Sequence, residues 1–140
     1  MSMRRLQLSA NGVYLPSTSA GLHTVVEMPE YLSRARSLLS ESDRDAIVDA
    51  LAANPTAGDL IVGSGGARKL RWAAKGKGKS GGVRVITYFG GPGIPIFLLS
   101  VFGKSDKANL TMNERNQLRT MLSSLATEYR KGGKRRVKGR

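Results

Sequence analysis

Residues 73–89 read AAKGKGKSGGVRVITYF, and the residues after their glycines decide the fold. Gly76, Gly78 and Gly81 satisfy the G-x-G-x-x-G spacing of dinucleotide-binding turns. Gly78-Lys79-Ser80 ends like a P-loop whose first glycine is replaced by Ala73. Both motifs work because a glycine turn opens directly into a helix, whose N-terminal amides and dipole face the phosphates. Here the turn opens into Val83-Arg84-Val85-Ile86-Thr87-Tyr88-Phe89, a β-branched and aromatic run that predicts a strand. No acidic run of the Walker B kind ends a later apolar stretch, so neither nucleotide motif fits.

Downstream, IPIFLLSVFG (94–103) is a second strand-like run, joined to the first by GGPG (90–93), which is a hairpin signal. Upstream, RKLRWA (68–73) predicts a further strand with Leu70 on one face and Lys69 and Arg71 on the other. These three segments form an expected central antiparallel sheet. Between 56 and 67 the chain reads TAGDLIVGSGGA, a glycine-punctuated connection.

Nearer the N-terminus, HTVVEM (23–28) predicts a short strand, and Pro29 suits the first position of a helix. Tyr31, Leu32, Ala35, Leu38 and Leu39 share one face of that helix. Ser40 followed by Asp43 resembles a capping box opening a second helix, whose apolar stripe is Ile47, Ala50 and Leu51 and which Asn54-Pro55 ends. Thr111 with Glu114 is another capping box, and Leu118, Met121, Leu122, Leu125 and Tyr129 trace the stripe of a last helix. The expectation is an α+β domain over 23–130, an antiparallel sheet with two N-terminal helices and a C-terminal helix. Residues 1–22 hold no uninterrupted apolar run of a secretory leader and are expected to be a flexible extension. The stretch 130–140, RKGGKRRVKGR, has seven cations and no acid, and 131–140 is expected to be a disordered basic tail.

The chain of 140 residues carries 23 Lys and Arg against 10 Asp and Glu, a net charge of +13. Such an excess points to a polyanionic partner, with nucleic acid ahead of an anionic membrane because phosphate contacts release counterions. No apolar run approaches the length of a spanning helix. The absence of cysteine removes disulfides, thiolate metal sites and a cysteine nucleophile. His23 alone makes no histidine metal cluster, and the acids never fall in a calcium-loop pattern, so neither metal nor other cofactor is expected.

Much of the charge is concentrated: Arg68, Lys69, Arg71, Lys75, Lys77, Lys79 and Arg84 are seven cations in 17 residues with no acid among them. Two like charges about 4 Å apart at an effective dielectric of ~20 repel by ~4 kcal/mol, so the cluster has a strong attraction for phosphate. A solvated basic hairpin without chemistry is the plain alternative. Against it stand the alternating glycines, which let a phosphate backbone approach closely, and the cations placed on the flanking strands as well as in the loop.

The order of these features resembles the RelE/HigB toxins of bacterial toxin–antitoxin systems, most closely the HigB-like branch, over roughly residues 24–130. Its most specific pieces are G-x-R-K-L-R (66–71), K-G-K-G-K-x-G-G-x-R (75–84) and F-G-K-S-D (102–106). The resemblance implies a small RelE-like fold and ribosome-dependent, metal-independent cleavage of messenger RNA in the A site. It also implies a bacterial cytoplasmic location and a cognate antitoxin, expected to be a helix-turn-helix DNA-binding protein. In that family the RNA 2'-OH attacks the adjacent phosphate and expels the 5' oxygen. By resemblance Lys69 and Arg71 stand at the family's basic pair, Arg84 at its phosphate-stabilising arginine, and Lys104 completes the pocket. Lys69 would act as base or transition-state stabiliser, Arg71 and Arg84 as clamps, and Lys104 or Lys107 as phosphate contact or acid. Arg68, Lys75, Lys77, Lys79 and Lys107 would bind RNA. Thr111 and Ser105 stand where the RelE branch carries a tyrosine and an arginine, departures that suit the HigB-like branch. Two alternatives remain: a ParE-like gyrase poison on the same fold, and a ribosome- or RNA-binding protein without catalysis.

Overall fold

The hairpin that replaces a nucleotide-binding helix is the centre of the molecule. In the computed structural model, residues 23–74, 82–104 and 109–139 are described, with the side chains of the last stretch as far as Glu128. Expectations for 1–22, for the lysines at 75, 77, 79 and 107, and for the side chains of the basic tail lie outside the described residues. The elements run β1 (Val25–Glu27), α1 (Pro29–Leu38), α2 (Glu41–Ala53), β2 (Asp59–Leu60), β3 (Ala67–Trp72), β4 (Val83–Phe89), β5 (Ile96–Gly103) and α3 (Met112–Gly139). The backbone of α3 thus continues into the basic segment 131–140.

The five strands form one sheet in the order β1-β5-β4-β3-β2. From β2 to β5 the pairing is antiparallel, as expected, whereas β1 lies parallel to β5, which makes the sheet mixed. The two-residue strand β2 falls inside the glycine-punctuated connection that reads as loop. Its neighbour β3 gains a backbone ladder on both edges, while β2 itself stays exposed.

Local chemistry sets the helix ends where the sequence predicts them. Pro29 stands in the first turn of α1. In α2 the Asp43 amide donates to Ser40 Oγ at 3.0 Å and the Ser40 amide donates to Asp43 Oδ2 at 3.2 Å, a reciprocal capping box. The same exchange opens α3, from Glu114 N–H to Thr111 Oγ1 at 3.1 Å and from Thr111 N–H to Glu114 Oε1 at 2.9 Å.

Both sheet faces are covered, so β4 is buried over six of its seven residues and reads as an almost continuous apolar run despite its antiparallel partners. On the first face, Tyr31, Ala35 and Leu38 of α1 and Ile47, Val48 and Leu51 of α2 pack on Val83, Val85, Ile96, Leu98 and Val101. On the second, Leu122 packs with Ala67, Ile86, Tyr88, Phe97, Leu99 and Phe102, flanked by Leu118 and Leu125. Met121, expected in the α3 stripe, is instead 41% exposed, and the buried edge of the helix turns toward Ala126.

A register shift lets β5 serve both cores. Ile86 faces Ser100 but Thr87 faces Leu98, which leaves Leu99 as an extra residue. Without that bulge, strict alternation would put Leu98 and Val101 on opposite faces; with it both join the first cluster.

Candidate functional site

Alternation along β3 separates packing from charge. Leu70 and Trp72 pack into the first cluster, whereas Ala67 belongs to the second, so Lys69 and Arg71 share the α3 face with Ala67. On β4 the same rule sets Arg84, between the first-face residues Val83 and Val85, on the α3 face. Register then makes Arg71 and Arg84 direct neighbours across the β3–β4 ladder, with Lys69 opposite Ile86 and Phe102 opposite Arg84. Side chains directly opposite have Cβ atoms about 5 Å apart, and like charges there are destabilising.

Arg71 is exposed, but Arg84 keeps only 7% of its surface in solvent. Its Nη1 lies 3.4 Å from the Val83 carbonyl oxygen, to which it donates. A guanidinium this deep requires compensation from polar or anionic groups. Lys104, just past β5, is brought alongside by its backbone N–H, which donates to Gly82 O at 3.4 Å.

Arg71, Arg84 and Lys104 line one open cavity of about 530 Å³ together with Trp72, Ala74 and Gly82. Its described lining holds three cations, no acid and none of the described side chains of α3. Gly82 has φ +72, and a Cβ there would run into the Trp72 carbonyl oxygen, so the close approach of β4 to the end of β3 requires glycine. Ala74 and Gly82 flank the segment 75–81 and both lie on the cavity wall.

Of the residues expected in the site, Lys69 lies next to this cavity rather than on its wall. Its Nζ donates to Asn109 Oδ1 at 2.7 Å, a contact between β3 and the approach to α3 that nothing in the local sequence signals. Arg68 falls on the opposite face of β3 from Lys69, and its Nη1 donates to Gly58 O at 3.1 Å. A second cavity of about 210 Å³ lies between α1 and α3 over Ile86, Leu99 and Phe102, with Glu30 and Glu114 on its rim. Those carboxylates make it a poor seat for phosphate. Among the described residues, no group of three or more His, Asp and Glu comes close enough to hold a metal ion, and no helix is long and apolar enough to cross a membrane.

The arrangement can therefore grip a phosphate between opposed guanidiniums with an ammonium beside them. A family model described as the RelE toxin of the RelE/RelB toxin–antitoxin system matches residues 33–136, a span that includes the cavity, the Lys69–Asn109 contact and most of α3. The fold and this match agree: the chain belongs to the RelE toxin family, and is a toxin of a toxin–antitoxin system with a cognate antitoxin as partner.

Proposed function

We propose that this toxin is a metal-independent endoribonuclease of the HigB-like branch that cuts messenger RNA in the ribosomal A site and so halts translation. The observation that carries the reading is the convergence of Arg71, Arg84 and Lys104 on one cavity whose charged residues, in its described lining, are all cations. Arg71 and Arg84 clamp the scissile phosphate and stabilise the charge that develops on its oxygens. The 2'-OH loses its proton and attacks the phosphorus, the bond to the 5' oxygen breaks, and that oxygen takes up a proton. The products are a 2',3'-cyclic phosphate and a 5'-hydroxyl. Lys69 acts as base or as a further stabiliser, since a guanidinium is a poor base, and Lys104 or Lys107 meets the phosphate or supplies the proton. The lysines at 75, 77 and 79, between Ala74 and Gly82 in the sequence, guide the RNA backbone. The antitoxin is a helix-turn-helix protein that covers the basic face or keeps the toxin off the ribosome, and the complex is cytoplasmic.

Induced expression tests the reading. Growth stops and messengers are cut by the parent protein, while Arg71→Ala and Arg84→Ala, checked for folding, leave messengers whole. Growth arrest with intact messengers removes the nuclease reading. If gyrase supercoiling is then blocked while translation continues, the chain is a gyrase poison; if it binds ribosomes without cutting, it is a binding module.

A further inference from the structure

We infer that Asn109 is a positioning residue, whose side-chain amide oxygen holds the Lys69 ammonium on the sheet face beside Arg71 and Arg84. The inference rests on the nuclease reading above and adds to it a residue that touches no substrate.

A lysine side chain has four rotatable bonds and loses much rotamer freedom when it is held in one place. Lys69 sits on the strand face two residues from Arg71, about 6.6 Å away along a β-strand, and half-buried. Its Nζ donates to Asn109 Oδ1 at 2.7 Å, a short and well-made hydrogen bond across 40 residues of sequence. An ammonium has three N–H bonds, so one tie to Asn109 leaves two to meet an incoming phosphate or hydroxyl. A carboxylate in the same place would hold the lysine as firmly but would cancel charge beside a phosphate site. The neutral amide fixes direction and leaves the charge intact.

Asn109 can act as a fixed point because the chain that follows it is anchored. Leu110 packs against the second core cluster, and its carbonyl accepts a hydrogen bond from Arg115 Nη2 at 3.3 Å. Thr111 and Glu114 close the capping box one residue further on. The contact therefore ties the active face of β3 to the first turn of α3 through backbone that packing already holds.

The test is cleavage of messenger on programmed ribosomes under single-turnover conditions, comparing the parent chain, Asn109→Ala, Asn109→Asp, Lys69→Ala and the double variant. Asn109→Ala is expected to slow cleavage by roughly ten- to a hundredfold, the scale of a misplaced reacting group, with ribosome affinity and melting temperature close to the parent's. Asn109→Asp, which keeps the acceptor oxygen but sets a negative charge beside the phosphate, is expected to recover the rate only in part. In the Lys69→Ala background, Asn109→Ala should add no further loss. Parent-like cleavage by Asn109→Ala, or a full independent loss in the Lys69→Ala background, overturns the inference while the nuclease reading stands. A parent chain that leaves messengers whole overturns that reading, and the inference with it.

Discussion

The two faces of one sheet are built from the same strands and do different work. On the α1–α2 face, Leu70, Val83, Val85, Leu98 and Val101 meet apolar side chains from end to end. On the α3 face, Ile86, Tyr88, Phe97 and Leu99 are covered by the helix, but Arg71 and Arg84 stand where none of the described side chains of α3 reaches the cavity wall. The change from core to site happens within β4, between Ile86 and Arg84, two residues apart on the same side. Packing and the proposed phosphate contacts thus occupy separate regions of the sheet, the second confined to one end of the α3 face, and substitutions should sort accordingly.

The largest effect belongs to the cationic end. Arg84→Ala should lower the cleavage rate by roughly 10²–10³-fold, as loss of one transition-state donor does elsewhere. Arg71→Ala, at an exposed position, should give a similar loss with a parent-like melting curve; a large drop in melting temperature would assign Arg71 to packing instead. Gly82→Ala lies between the two regimes. It strains a left-handed residue by about 1–3 kcal/mol and pushes β4 from the Trp72 carbonyl, so stability and cleavage should both fall. If only one of them falls, the cavity and the β3–β4 ladder are less tightly coupled than their geometry indicates.

Substitutions in the covered regions should behave in the opposite way. Leu98→Ala and Leu122→Ala, one on each face, should each cost about 2–5 kcal/mol in denaturant unfolding, with cleavage per folded molecule unchanged. The smallest effect is expected for Ser40→Ala, which removes one half of the α2 capping box far from the arginines. It should cost about 0.5–2 kcal/mol and leave the cleavage rate alone. Activity loss per folded molecule in any of these three would break the division between the packed regions and the cationic end.

Legibility in the sequence tracks the range of the interactions. Both capping boxes, the proline opening α1 and the β4–β5 hairpin are readable because each depends on residues a few positions apart. The partial exposure of Met121 is less so, since Leu118, Met121 and Leu122 all satisfy helical spacing and their burial depends on how α3 is seated on the sheet. The parallel docking of β1 is a pairing across some 70 residues, and alternation in a three-residue strand contains no information about its partner. In the site, the alternation that sets Lys69 and Arg71 apart from Leu70 is local, and so is the strand propensity that excludes a nucleotide loop. That Arg71 meets Arg84 rather than a neighbour one residue away depends on register, and that Lys69 is held by Asn109 depends on where α3 begins relative to β3.

Residue order alone was thus enough to establish the strand after the glycines, the helix ends, the concentration of positive charge and the family resemblance, because propensity, capping and composition act over short stretches of chain. Which cations share a cavity, which one is turned to the far face, and which neutral side chain steadies Lys69 were settled only by tertiary packing. Those relations come from strand register, a bulge at Leu99 and the seating of α3, and each of them brings together residues whose separation along the chain carries no signal of contact.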